Sequence, residues 1–427
     1  MLAYAFRCFT SAWYAKMKQT SLRAAGILLV LWAPQLWAEI SIADIEAALQ
    51  AEIPKDLSEQ FKPLLKKYNR DQGNKAISIG ALAGGGYAAG LSYQGASELA
   101  ASNSALAQCK TWLDTNEKSG ECEILLVGDQ PITPGRIMRQ NIEGSTPAMA
   151  WKVTGAKGDV YLLGTLHILK PTLLPLPKVF DQFFSAADTV VFETNPVLQG
   201  DPARQAELVK LMGANPEQQK ALYKKADRKV LKKFAKSQGM DVTAFYTAKP
   251  VVNAIQITQL KTAAIGYSTQ TGVEAHYARQ ASVQGKPIKE LETPAEAFGA
   301  LLDLPVELQV ELLTETIEEL HEVSLGIENI VVNWLQGDPE KVYLQTLQDI
   351  VAKPELAPVA EGMLDDRNLR WMKKIDQMLT EETSTVIMVG SAHLGGENGL
   401  LALIQQRGFT LVQHSWNGTP LKEAQPN

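Results

Sequence analysis

Two stretches decide how this chain is read. The first is Tyr161-Leu162-Leu163-Gly164-Thr165-Leu166-His167, and the second is Val386-Ile387-Met388-Val389-Gly390-Ser391-Ala392-His393. Each is an apolar strand that runs into Gly-x-x-His, and the second repeats the first 226 positions later. An apolar run of this length reads as a buried strand. A glycine then lets the backbone turn tightly, and the imidazole emerges at the carboxyl end of the strand. Open α/β sheets bind ligands in that crevice, and neutral imidazole is a good ligand for a divalent metal.

Two further strand ends offer carboxylates. Val190-Val191-Phe192 leads into Glu193, and Ile288-Lys289-Glu290-Leu291 leads into Glu292. Thr293-Pro294-Ala295-Glu296 then has the residues of a capping box with proline in the first helical turn. Glu292 is thereby expected between a strand and a helix, a good place for a preorganised ligand or base. A carboxylate that ends a strand also serves simply to bond a nearby amide, and Glu292 alone reads equally as part of the cap. Arg367 and Asn368 stand near the start of a helix, where a guanidinium neutralises a carboxylate or polarises a carbonyl. A solvated helix charge is the alternative. His276, His321 and His414 lack the strand-turn setting and read as structural or surface residues.

Working outward, Ala148–Val153, Asp159–Leu163, Thr189–Phe192, Thr385–Val389 and Phe409–Gln413 read as strands. Helical patterns cover Pro202–Met240, Val251–Ile265, Val273–Gln284, Pro294–Leu302, Val306–Leu325, Pro339–Ile350, Asp365–Leu379 and Leu400–Gln406. Strands at both ends with helices between them predict an α/β (α+β) domain over 148–420: a mixed sheet with the strand-Gly-x-x-His repeats and a helical insertion. Ahead of it, residues 39–130 read as a small α+β accessory module. It has helical periodicity over Ile40–Ala51 and Glu98–Trp112 and a short strand over Cys122–Val127. Gly84-Gly85-Gly86 reads as a turn or a strand–helix junction, because it lacks the spacing of a phosphate loop. Residues 131–147 read as a linker.

Residues 1–38 carry Arg7, Lys16, Lys18 and Arg23 and no acid. Met17 is an alternative start. Ala24–Ala33 form an apolar core and Leu36-Trp37-Ala38 a cleavage site, so the stretch reads as a secretory signal peptide. The alternative is an uncleaved anchor, against which the apolar run falls short of the ~20 residues that span a bilayer. The mature chain is then expected outside the cytoplasm, periplasmic or secreted, and not transmembrane. Cys8 lies in the leader, and Cys109 and Cys122 remain as a disulfide pair in an oxidising compartment. Two buried free thiols are the other reading. The formal net charge of -6 and the absence of a long basic run argue against electrostatic binding to nucleic acid.

Taken in order, several motifs resemble the TraB/PrgY/GumN family and, more distantly, the Tiki metalloproteases. They are the Tyr161–His167 segment, Val191-Phe192-Glu193-Thr194-Asn195, Gly272-Val273-Glu274-Ala275-His276, Gly285–Thr293, Arg367-Asn368 and Val389–Gly395. The resemblance implies paired Gly-x-x-His motifs, glutamates and an arginine around one site. It also implies metal-dependent peptide hydrolysis in the Tiki branch and inactivation of a peptide signal in the TraB branch. At position 274 the family usually has aspartate, and Glu274, one methylene longer, is not counted in the site.

The expectation is a divalent-metal hydrolase (Mn, Co or Zn) acting on a peptide or protein. His167 and His393 would bind the metal with Glu193 or Glu292, the other glutamate would be general base, and Arg367 would stabilise the oxyanion. Gly164, Gly390 and Asn368 would support the site. The rival is a non-enzymatic protein that binds haem, metal, peptide or glycan as an accessory of conjugation or polysaccharide assembly.

Overall fold

The structure is a computed structural model that describes residues 73–82, 87–95, 98–118, 120–128, 130–131, 146–320, 323–351 and 357–421, together with Tyr68. The leader, the helix expected at 40–51, Gly84-Gly85-Gly86, most of the expected linker and His321 lie outside the described residues. Residues 71–427 form one compact unit.

Its smaller sheet contains β1 (Asn74–Leu82), β2 (Tyr87–Gly95), β3 (Gly120–Val127) and β4 (Gln130–Pro131), antiparallel in the order β2-β1-β3-β4. The helix Glu98–Thr115 packs across it, and Cys109 on that helix is disulfide-bonded to Cys122 on β3. The helix and β3 match the sequence reading, whereas the β1–β2 pair was not expected. These strands are rich in Ser, Ala and Gly, so their apolar alternation is weak. The small residues are there because the helix lies close: a Cβ at Gly90 would run into the Ala105 carbonyl, and Ser78 Oγ donates to that carbonyl at 2.7 Å.

The larger sheet contains β5 (Pro147–Thr154), β6 (Val160–Thr165), β7 (Thr189–Phe192), β8 (Ile288–Glu290), β9 (Thr385–Gly390) and β10 (Thr410–Ser415). Their order is β10-β5-β6-β9-β7-β8. The β10–β5 and β5–β6 pairs are antiparallel, and β6–β9, β9–β7 and β7–β8 are parallel. The sheet is therefore mixed, as the sequence predicts. Every residue of β6, β7 and β9 is buried, which explains why these strands are unbroken apolar runs rather than alternating ones.

Helices fill the β7–β8 and β8–β9 connections. Val273–Gln284 and Pro294–Leu302 have the bounds the sequence predicts. The Thr293–Glu296 capping box is formed, with Thr293 N donating to Glu296 Oε2 at 2.7 Å. The expected Val306–Leu325 helix instead ends at Glu318. Glu315, Glu318 and Glu319 crowd its carboxyl end, where the helix dipole disfavours negative charge. A separate helix, Val323–Leu335, follows. It and the helix Lys178–Ala186 were not expected; both pack into the main core, through Val331, Trp334 and Leu335 and through Val179, Phe180 and Phe184. A second apolar cluster, around Tyr223, Phe234, Phe245 and Leu313, gives the inserted helices a core of their own. Among the described residues no helix is long and apolar enough to cross a membrane.

Candidate active site

The parallel register explains why distant motifs meet. Gly164 pairs with Val389 and Thr165 with Gly390, so both Gly-x-x-His segments leave the same carboxyl edge on neighbouring strands. β7 lies on the other side of β9, and β8 beyond it. Past the strand ends the Glu193 carbonyl still accepts from the N–H groups of Leu291 and Glu292, at 3.1 and 2.9 Å. Four adjacent strand ends thus deliver His167, His393, Glu193 and Glu292 to one crevice, the usual ligand position of such a sheet.

The two motif glycines serve a different need from the one the sequence suggests. Neither has positive φ, and Gly390 sits at φ -52. What the fold requires is space. A Cβ on Gly390 would lie 3.0 Å from Glu193 Oε1 and 3.3 Å from His167 Nε2, and one on Gly164 would lie 2.7 Å from Leu394 Cδ1.

Both imidazoles present Nε2 to one oxygen. His167 Nε2 is 3.9 Å and His393 Nε2 3.8 Å from Glu193 Oε1. His393 is buried, with its ring 4.4 Å from that of Trp371. Its Nδ1 lies 2.8 Å from Asn368 Oδ1, while Asn368 Nδ2 donates to the carbonyls of His393 and Asn398 at 3.2 and 2.9 Å. With the amide orientation set by those carbonyls, His393 Nδ1 carries the proton and Nε2 keeps its lone pair. Burial pushes the His393 pKa down to about 3, so the ring is neutral. His167 is the exposed member, with its side chain 62% accessible. Glu274 Oε1 stands 2.8 Å from its Nδ1, also accepts from Thr165 Oγ1, and raises its pKa. Water screens part of that effect at so open a ring. Glu274 thus has a place in the site that the sequence reading withheld. The signal was its position in the Gly272–His276 motif, and the extra methylene does not prevent contact.

Arg367 binds the carboxylates together. Its Nε and Nη2 donate to Glu292 Oε1 at 2.7 and 2.5 Å, Nη2 also to Glu193 Oε2 at 2.7 Å, and Nη1 to the Met363 carbonyl at 3.1 Å. Nη1 lies 3.1 Å from His393 Nε2, and the guanidinium stacks over Trp371 at 4.8 Å. Trp371 is a second residue the sequence reading missed; its only signal was its spacing four residues after Arg367. The two glutamates are pushed apart. Burial would raise Glu193, but His393, which is protonated at the low pH where Glu193 titrates, together with His167, Arg367 and the Gly390 N–H, which donates to Oε1 at 2.5 Å, brings it down to about 2. In Glu292 burial outweighs the pull of Arg367, and the pKa is raised. Among the described residues no donor stands in good hydrogen-bonding geometry to Glu292 Oε2, although Trp371 also draws the Glu292 pKa down and Arg370 Nη2 stands off at 3.7 Å.

The other described histidines, His276 and His414, are elsewhere. His276 Nε2 lies 2.7 Å from Gln280 Nε2, and His414 packs edge-on against Phe183.

Two imidazoles and a carboxylate have the donor chemistry for a divalent cation such as zinc, manganese or cobalt. Each Nδ1 is held by an outer oxygen, the arrangement that orients ligating histidines. The 3.8 and 3.9 Å separations are wider than the ~3.3 Å between neighbouring tetrahedral ligands with bonds of about 2.0 Å. Among the described residues, no group of three or more His, Cys, Asp or Glu is poised to hold a metal ion. The residue types and their outer partners have the chemistry to hold a cation, while Arg367 Nη1 stands at His393 Nε2.

The TraB/PrgY/gumN family model matches residues 149–413, which contain every site residue named above. The chain belongs to the TraB/PrgY/gumN family. The match begins inside β5 and ends inside β10, so it takes in all or most of each of the six strands and their helical connections and leaves the four-stranded sheet outside. Neither the curated proteins nor the solved structures compared with the chain contain a match.

Proposed function

We propose that this TraB/PrgY/gumN family member is a metal-dependent hydrolase of peptide or protein substrates that works outside the cytoplasm. The observation that carries the reading is the approach of both Nε2 atoms to Glu193 Oε1 while each Nδ1 is held by an oxygen. His167, His393 and Glu193 would hold the cation. Bound there, it would supply Lewis acidity and an activated water at neutral pH.

The two carboxylates then divide the work. Glu193, held low, stays ionised and serves as an anionic ligand. Glu292, raised by burial, would take a proton from the attacking water and return it to the leaving amine, as pairs of oppositely shifted carboxylates do. Arg367 holds both carboxylates. Its charge would also stabilise the oxyanion that develops on the carbonyl. Export is supported by the basic and apolar pattern of residues 1–38 and by the Cys109–Cys122 disulfide.

Digestion of a peptide library by the purified chain, after chelation and after adding back Mn²⁺, Co²⁺ or Zn²⁺, tests this reading. Cleavage only with metal is expected. Stoichiometric metal binding without cleavage of any peptide would replace the hydrolase with a binding protein.

A further inference from the structure

Three residues beyond His167 lies Lys170, 2% exposed, with Nζ 2.6 Å from Glu328 Oε1. Glu328 is 3% exposed, and Tyr267 donates its hydroxyl to the same oxygen at 3.0 Å. Lys170 Nζ also lies 5.0 Å from the Tyr267 ring centre. A buried ion pair of this kind is a poor device for stability, because well-packed apolar residues of equal volume do as well or better. What such a pair supplies is directional: each partner strongly penalises any displacement of the other.

The pair sits where displacement would matter. The backbone from Leu166 to Leu169 is clamped to the segment 268–273. Leu169 N donates to the Ser268 carbonyl at 3.2 Å, Ser268 N to that of Leu169 at 3.0 Å, and Val273 N to that of Leu166 at 3.1 Å. Thr271 Oγ1 bonds the Leu169 carbonyl as well. Glu328 is carried by the helix Val323–Leu335, whose Trp334 Nε1 donates to the Gly164 carbonyl at 2.9 Å. One helix therefore grips the Gly-x-x-His segment on both sides of His167. The four-stranded sheet stands beside Gly266, the neighbour of Tyr267. Ile124 of β3 lies beside Gly266 and joins the main core, and the helix Glu98–Thr115 packs on Pro250–Ala264.

We propose that Lys170, Glu328 and Tyr267 are positioning residues for His167, and that the disulfide-bearing sheet backs them. The sheet then has a part in the site, although none of its described residues touches the imidazoles. The proposal concerns the geometry of His167; only its metal-binding arm rests on the hydrolase reading.

The test uses the full chain carrying Lys170→Met with Glu328→Leu, beside Tyr267→Phe. The double variant replaces the pair by apolar residues of similar length, so it is expected to melt at or above the wild-type temperature. Two measurements follow. Hydrogen exchange of the metal-free protein should show the Leu169 amide exchanging about tenfold faster, with the β9 amides unchanged. Co²⁺ titration should show affinity lowered about tenfold, the low end of what loss of an outer partner costs, with an altered visible spectrum.

Wild-type exchange at Leu169 together with a wild-type Co²⁺ affinity and spectrum would overturn the proposal. If the unsubstituted chain binds no Co²⁺, the hydrolase reading fails while the exchange result still decides this one. Should the double variant not fold, Tyr267→Phe, which removes only the phenol bond to Glu328, is read in the same two ways.

Discussion

Arg367 Nη1 lies 3.1 Å from His393 Nε2, so a guanidinium occupies the lone pair that a cation would use. The same side chain bridges Glu193 and Glu292. It acts as an internal counter-ion for two buried carboxylates, and any incoming cation competes with it. Arg367→Met should therefore destabilise the metal-free protein by about 3–5 kcal/mol, the cost of stranding buried charge. Saturating divalent metal should recover much of that loss. Thermal melts with and without metal check this; equal melting of variant and wild type in chelator would contradict it.

Glu274 should behave as an orienting carboxylate for His167. Glu274→Leu is expected to weaken metal binding by about 10–100-fold, while Glu274→Asp, the residue usual in the family, should stay closer to wild type. Isothermal titration with Mn²⁺ or Zn²⁺ separates the two. Equal affinities for Leu and Asp at this position would remove Glu274 from the site.

Gly390→Ala tests the space argument. The added methyl would stand 3.0 Å from Glu193 Oε1 and 3.3 Å from His167 Nε2. Stability should fall by only about 1–3 kcal/mol, as in modest overpacking, while metal binding is lost because the methyl crowds Glu193 Oε1 and His167 Nε2. A variant that binds metal normally would show that the glycine is not needed for the site.

How much of this was legible in sequence follows from which residues speak locally. The Gly-x-x-His segments, the strands around them and the capping box at Thr293 announce themselves through nearest neighbours. The β1–β2 pair does not, because its residues were made small by a helix packed across it. The Val323–Leu335 helix hides because its polar residues, Ser324, Glu328, Asn329 and Asn333, are scattered among apolar ones and one of them, Glu328, is buried. Glu274 and Trp371 reach the imidazoles only through tertiary contacts, from two different helices. Proximity of His167 and His393 was inferred from repetition, but that Arg367 lies against His393 Nε2 was not in the pattern at all.

Acid stability offers a test away from the histidines. Arg204 donates to both oxygens of Glu290, at 2.9 and 2.7 Å, tying the helix Pro202–Met212 to β8. The bond holds Glu290 below its ordinary value. A carboxylate depressed in the folded state adds stability above its unfolded pKa, and loses it as pH falls through the lower folded value. Arg204→Gln should thus cost stability at pH 7 and progressively less below about pH 4. Urea melts at pH 7 and pH 3 measure the difference; an unchanged cost at pH 3 would deny the ion pair its role.

The most direct measurement of the central claim is metal content per chain for wild type, His167→Ala and His393→Ala, purified alike and confirmed folded. One divalent ion bound by wild type and lost from each single variant is the predicted result. Full occupancy retained by either variant would contradict a shared site for the two imidazoles.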